Sequence, residues 1–351
     1  MKKIPVAILA ATGSVGQRFV QLLDQHPYFD VTALTASDRS VGQTYREACH
    51  WNLAGEMPAW AANLVVQPTS PEAVQVPLVF SALPADFARE VEPAFARAGS
   101  LVCSNASAYR DAADVPILLP EINPEHLGIL ETQRRQRGWS GGIITNANCT
   151  STGFSVALKA LQDAFGLKRV FAVSLQALSG AGYPGVASMD ILDNVIPNII
   201  GEEQKVEWEP RKILARFTGD ALELADFQIS AHTTRVAVSD GHLVCFSVDL
   251  VNKPNLEEAA EAFRFYQSPE ISRNLPSAPR PVILLREEPD RPQPRLDRFT
   301  GKGMTTVVGR LRKDPIFDLK MVVLSHNTIR GAAGGSIYNA ELLVKAGVLK
   351  A

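Results

Sequence analysis

Nowhere in the 351-residue chain is there an apolar run of about 18 residues, so the sequence offers no membrane-spanning helix. Cysteine is scarce. The four present, Cys49, Cys103, Cys149 and Cys245, form no Cys-x-x-Cys pair and no zinc-ligand spacing. A disulfide framework and a metal site are therefore not expected, and a reducing cytoplasm is. Neither sign of charge prevails: 35 basic residues stand against 37 acidic ones. That gives no reason to expect nucleic acid or a membrane surface as partner, and it confines any anion site to local groups. There is no internal repeat. The proline-rich stretch 276–294 contains Pro289-Asp290-Arg291-Pro292, which reads as a stiff surface connection over a partner subunit rather than as a peptide ligand.

What is present is enough apolar material, 46% of the residues, to bury a substantial core, at a length that suggests two domains. Met1-Lys2-Lys3 before the short apolar stretch 4–11 reads as a first strand rather than a signal peptide, because a glycine turn follows at once. Residues 5–9, 31–36, 64–67, 78–83 and 101–104 are short apolar runs, with helical patterns over 14–26 and 87–98. This alternation predicts an α/β doubly wound parallel sheet. Beyond residue 149 the runs at 169–178, 227–238, 243–251, 305–311 and 319–325 are longer and β-branched. They predict a mixed sheet in an α+β domain, with helices over 186–196, 210–217 and 256–265. The last helix, 331–349, could return to the first domain. Cys103 and Cys245 lie in apolar runs and are expected to pack as small hydrophobes.

Cys149 stands where Ile143-Ile144 ends a strand and Thr150 to Leu161 begins a helix. A thiol there faces free backbone N–H groups. A helix N-terminus and a nearby imidazolium would lower its pKa, and the terminal amides could hold an oxyanion. The pattern points to a nucleophile.

Two ligand sites accompany it. The turn Ala10-Ala11-Thr12-Gly13-Ser14-Val15-Gly16 joins a strand to a helix, so its amides can cradle a pyrophosphate, although Ala10 stands where a glycine is expected. At the end of the second strand, Ser37-Asp38-Arg39-Ser40 holds both options. Arg39 between two serines favours NADP, while Asp38 keeps NAD open. Farther on, Arg235 and His242 flank an Asp240-Gly241 turn. One can bind a carboxylate and the other can move protons. Gly201-Glu202-Glu203-Gln204-Lys205 reads by itself as a solvated charge run, and Gln176 as a strand-end amide.

Taken together, these segments resemble the aspartate-semialdehyde dehydrogenase family, in its archaeal and fungal branch, nearly end to end. The resemblance rests on Ala11 to Gly16, Ser104 to Ser107 before Arg110, Asn148-Cys149-Thr150 and Ser179 to Gly185. It rests also on Gly201-Glu202-Glu203 with Lys205, Arg235 with His242, and His326-Asn327 before Arg330 to Gly335. The resemblance implies a dinucleotide-binding domain over 1–148, joined by the C-terminal helix 331–351, and a catalytic and dimerisation domain over 149–330. It implies that Cys149 carries a thioacyl group, that His242 is the acid–base residue, and that Arg235 and Gln176 hold the substrate carboxylate. Glu202 would take the ammonium, Asn148 would orient the reacting group, and Arg110 with Lys205 would bind phosphate. Thr12, Gly13, Ser14, Val15, Ser37, Arg39, Ser40, Gly180 and Asn327 would contact NADP.

The implied reaction is reversible reductive dephosphorylation of L-aspartyl 4-phosphate to L-aspartate 4-semialdehyde, toward lysine, methionine and threonine, in a homodimer or homotetramer. A malonyl-CoA reductase needs the same thiol and hydride donor, but Arg110 beside the thiol suits an acyl phosphate. A non-catalytic dinucleotide sensor has no use for Cys149, Arg235 and His242 together. A short-chain reductase would need a Tyr-x-x-x-Lys pair, and the chain has none.

Overall fold

The computed structural model describes residues 2–350. Five short strands, β1 (Ile4–Leu9), β2 (Phe29–Leu34), β3 (Leu78–Ser81), β4 (Leu101–Ser104) and β5 (Gly142–Thr145), form a parallel sheet in the order β2-β1-β3-β4-β5. Residues of β3, β4 and β5 are buried throughout, as expected of strands covered on both faces. Leu9, Ser81, Ser104 and Thr145 lie side by side in register, so the loops that follow all leave one edge. The strand order reverses between β1 and β3, which opens a crevice at that edge.

The second sheet is built from β6 (Leu167–Gln176), β7 (Gln228–Arg235), β8 (His242–Leu250), β9 (Ile283–Arg286), β10 (Thr306–Lys313) and β11 (Leu319–Ser325). Its order is β9-β10-β11-β8-β6-β7, with parallel pairs at both ends and antiparallel pairs between, so the sheet is mixed. Helix α1 (Cys149–Phe165) crosses it, and Phe154, Val156, Leu158 and Leu161 share a core with Val170, Val244, Phe246 and Val323. Ile337, Tyr338, Leu342 and Leu343 of the last helix instead share the core of the first sheet with Ile4, Ile8, Phe19 and Phe80.

Several expectations need correction. Residues 64–67 form only isolated bridges from Val65 to Thr44 and from Gln67 to Thr35, because prolines and turns flank them. The helical pattern over 186–196 shrinks to Ser188–Ile191, after which Ile196 pairs with Arg235. The helix expected at 210–217 is α2 (Glu202–Ile213), which starts in the supposed charge run and carries Pro210 near its end. The proline-rich connection contributes β9, an edge strand paired with β10. The last helix is preceded by a π-helical turn, Ile329–Ala333, and becomes regular only from Gly334 to Lys345. Cys103 is buried as expected, whereas Cys245 is exposed, because alternation along β8 turns it away from the core.

Candidate active site

The second sheet delivers its chemistry by register. Gln176 at the end of β6 faces Arg235 at the end of β7, Leu175 faces Leu243, and His242 at the start of β8 faces Ser325. Three polar side chains thereby meet at one sheet edge, fixed by strand ladders. Ala177 N–H donates to His242 Nδ1 at 3.0 Å, so the neutral imidazole carries its proton on Nε2, which lies 3.3 Å from Cys149 Sγ.

Cys149 is the first residue of α1, half-buried at the cavity wall, and Asn148 is its N-cap. Asn148 Oδ1 accepts from Thr150 N–H at 2.9 Å and from Ser151 N–H at 3.3 Å. Those two amides are therefore occupied by the cap, whereas the Cys149 N–H has no acceptor among the described residues. The thiol–imidazolium pair is corrected. Burial, joined by the nearby carboxylate of Glu202, pushes the Cys149 thiol up to about 12, against the pull of Arg110 and Arg235. Burial and the Arg235 charge hold His242 down to about 3, so the imidazole is neutral. The resting pair is neutral, with Nε2–H directed at sulfur.

A cavity of about 360 Å³ opens over Cys149. It brings together Asn148, Arg110, Glu202, Lys205 and Arg235 from the expected substrate site with Ser14, Val15, Gly180 and Asn327 from the expected cofactor site. Asn148 Nδ2 donates to both Glu202 oxygens, at 3.1 and 2.8 Å, and Lys205 Nζ pairs with Glu202 at 2.8 Å. Gln176 Nε2 reaches Glu202 at 3.5 Å. Arg235 donates to the Ala177 carbonyl at 2.7 Å. The supposed surface charge run is thus part of the site, with Glu202 9% exposed.

Two glycines make this closeness possible. A Cβ at Gly331 would stand 2.9 Å from Cys149 Cα, and one at Gly180 would stand 2.8 Å from an Arg235 nitrogen and 3.0 Å from His242 Cε1. Any larger residue at either place would displace the nucleophile or its partners.

The remaining cofactor residues surround the β1 turn. Ala10 adopts a left-handed φ of 57°, and Gly13 caps the nine-residue helix Ser14–Leu22 with no side-chain cap bond and no acidic residue in the first turn. That leaves a donor set suited to a pyrophosphate. Ser37, Arg39 and Ser40 lie outside the cavity after β2, and among the described residues the exposed Arg39 side chain makes no ion pair. The groups fit a 2′-phosphorylated dinucleotide. Ser14 Oγ accepts from Tyr183 N–H at 3.1 Å, which ties the turn to the glycine-rich loop of the other sheet. Thr12 holds Gln17 through its carbonyl at 2.9 Å.

Sequence reasoning missed Glu209, Lys212 and Glu121. Glu209 pairs with Arg110 at 3.0 Å, Lys212 holds the Arg110 carbonyl at 2.7 Å, and Glu121 binds the wholly buried Arg330 beside Gly331. Helical spacing from Glu202 through Lys205 to Glu209 and Lys212 was a usable signal. Pro210 hid it. Among the described residues no cluster of His, Cys, Asp and Glu could hold a metal, and no helix is long and apolar enough to cross a membrane.

Residues 5–129 match the family model described as semialdehyde dehydrogenase, NAD binding domain, and residues 158–330 match semialdehyde dehydrogenase, dimerisation domain. Aspartate-semialdehyde dehydrogenase of Archaeoglobus fulgidus is 53% identical over 340 residues, 97% of this chain and 98% of that one. The Schizosaccharomyces pombe enzyme of the same name is 46% identical over 98% of this chain and 99% of its own. The crystal structure of aspartate semialdehyde dehydrogenase from Candida albicans with NADP superposes with a TM-score of 0.91 at 41% identity, covering 99% of this chain and 100% of that one.

Proposed function

This chain belongs to the aspartate-semialdehyde dehydrogenase family, and from that premise we propose how its own residues perform the reaction. The enzyme is an NADP-dependent oxidoreductase that converts L-aspartyl 4-phosphate reversibly to L-aspartate 4-semialdehyde and phosphate, toward lysine, methionine and threonine. The observation that carries the residue assignment is Cys149 Sγ at 3.3 Å from His242 Nε2, within a cavity walled by Arg110, Lys205, Glu202 and Arg235.

Once the substrate ammonium neutralises Glu202, the Cys149 thiol gives up its proton to solvent through the open cavity, and the sulfur attacks the acyl carbon as thiolate. The carbon–oxygen bond to phosphate then breaks, and phosphate leaves with the electron pair toward Arg110 and Lys205. Arg235 and Gln176 hold the α-carboxylate, and Glu202 takes the ammonium. Neutralising Glu202 in this way removes a charge that opposes thiolate formation. Thr12, Gly13, Ser14, Val15, Gly180 and Asn327 would hold NADP, with Ser37, Arg39 and Ser40 on its 2′-phosphate. The nicotinamide supplies the hydride that reduces the thioester. His242 Nε2–H stabilises sulfur whenever it bears charge, at attack and again as aldehyde is released. Asn148 fixes the start of α1 and so the direction of the thiol.

The domain division at 148/149, with 331–351 rejoining the first domain, is supported by the core that the last helix shares with β1. A homodimer or homotetramer is supported by the dimerisation-domain match and by exposed Phe171, Met189, Leu192 and Ile200. Cysteine usage favours the cytoplasm.

Mass spectrometry of enzyme quenched during turnover should find the aspartyl adduct on Cys149. Cys149→Ala should lose it, with activity down at least about 10⁴-fold and NADP affinity within about 2-fold of the parent. Retained activity in that variant would sink the covalent route, and turnover of malonyl-CoA but not aspartyl phosphate would sink the substrate.

A further inference from the structure

Glu209 takes no part in the steps above, yet it is an enclosed charge beside them. It lies on α2 with no exposed surface. Its Oε1 accepts from Arg110 Nη1 at 3.0 Å, and its Oε2 accepts from the backbone N–H of Asn148 at 2.6 Å. One carboxylate therefore ties the phosphate-binding arginine to the cap of the nucleophile helix. Arg110 Nε donates to the Asn146 carbonyl at 2.9 Å and Nη2 to the Asn105 carbonyl at 2.7 Å. With three of its five donors held by protein, the guanidinium cannot swing, and two N–H groups remain for a ligand. Lys212, one turn along α2, holds the Arg110 and Ala112 carbonyls at 2.7 and 2.6 Å and so fixes the same loop from behind.

We propose that Glu209 is a positioning residue for the acyl-transfer step in which phosphate leaves: it clamps Arg110 against the start of α1 and, by neutralising it, keeps phosphate loosely enough held to leave. The proposal rests on the reading of Arg110 as a phosphate ligand. A buried guanidinium stripped of its counter-ion seeks another anion, so removing the charge of Glu209 strengthens phosphate binding while it slows turnover. Simple loss of structure would weaken phosphate and NADP binding together.

The test is the phosphate-dependent oxidation of aspartate semialdehyde by the parent, Glu209→Gln, Arg110→Gln and the double variant. For Glu209→Gln the phosphate KM should fall about 3- to 10-fold and kcat about 10-fold or more, with NADP KM unchanged. Arg110→Gln should raise the phosphate KM about 10-fold or more. The double variant buries no unpaired charge, and its phosphate KM should stay within about 3-fold of that of Arg110→Gln. An unchanged or raised phosphate KM in folded Glu209→Gln overturns the proposal. So does a double variant outside that range, and this arm decides alone if Glu209→Gln does not fold. If Arg110→Gln leaves the phosphate KM unaltered, the phosphate assignment itself falls, an outcome distinct from failure of the Glu209 clamp.

Discussion

The two sheets serve their ligands by different means. Toward the proposed cofactor site the parallel sheet offers mostly backbone, the amides of the turn after β1 and an exposed run after β2 with Arg39 as the one charged side chain, although Arg110 and Cys149 also follow strands of this sheet. The mixed sheet offers side chains, with Gln176, Arg235 and His242 brought level by strand register and buried among charges. Backbone recognition tolerates sequence change and gains little from any one residue. Register-fixed side chains are expected to matter one by one, because each is buried and a substitution leaves its hydrogen-bond partners unsatisfied.

That contrast can be broken at either sheet. The largest effect is expected at Arg235→Lys, where a point charge replaces a planar fork that already holds the Ala177 carbonyl. kcat/KM for aspartate semialdehyde should fall on the order of 10²-fold in steady-state assays, with NADP KM unmoved. Arg39→Ser should raise the NADP KM only about 10-fold and leave NAD use unchanged, which competition kinetics would reveal. A loss at Arg39 as large as that at Arg235 would erase the distinction.

The sheets should also differ in their response to pH. Burial raises Glu92, behind β4, to about 7, although its bond to Ser104 Oγ at 2.6 Å opposes the rise. Its folded pKa exceeds the ordinary value of 4.5, so the stability it contributes is full below pH 4.5 and lost as pH rises through about 7. His242 has the opposite sign: its folded pKa lies below 6.5, so stability is lost as pH falls from there toward about 3. Glu92→Gln should remove a decline on the order of 2–3 kcal/mol between pH 4.5 and 7 in denaturant titrations. The acid limb set by His242 should persist. The smallest effect is reserved for Ala10→Gly, which relieves a left-handed φ of 57°. The gain should be under about 1 kcal/mol by calorimetry, since glycine also loosens the unfolded chain.

Most strands of both sheets were legible in the sequence because they are apolar or β-branched runs bounded by turn residues, whereas β9 was hidden inside a proline-rich stretch. Cys149 was legible because a polar cap and an apolar period met around it. The resemblance supplied roles for Glu202 and Gln176 that spacing alone did not. What stayed hidden depended on tertiary pairing. The bridges at Val65 and Gln67 look like a strand until flanking turns deny it partners, and Cys245 is exposed because of the face β8 presents. The pKa directions at Cys149 and His242 were misread for a related reason. Desolvation, joined by the Glu202 charge at the thiol and the Arg235 charge at the imidazole, sets both directions, and none of these can be seen in the linear order of residues. The face of Glu209 could be read from helical spacing once Pro210 is allowed inside α2, but its pairing with Arg110, 99 positions away, could not.

Tyr338, Leu342 and Leu343 complete a core begun by Ile4 and Ile8. During synthesis part of the core of the amino-terminal sheet stays uncovered until residues 337–343 have emerged, well after all strands of the mixed sheet have been made. A chain stopped near residue 330 would lack this cover, and its earliest-made segment is the one expected to meet proteases and chaperones.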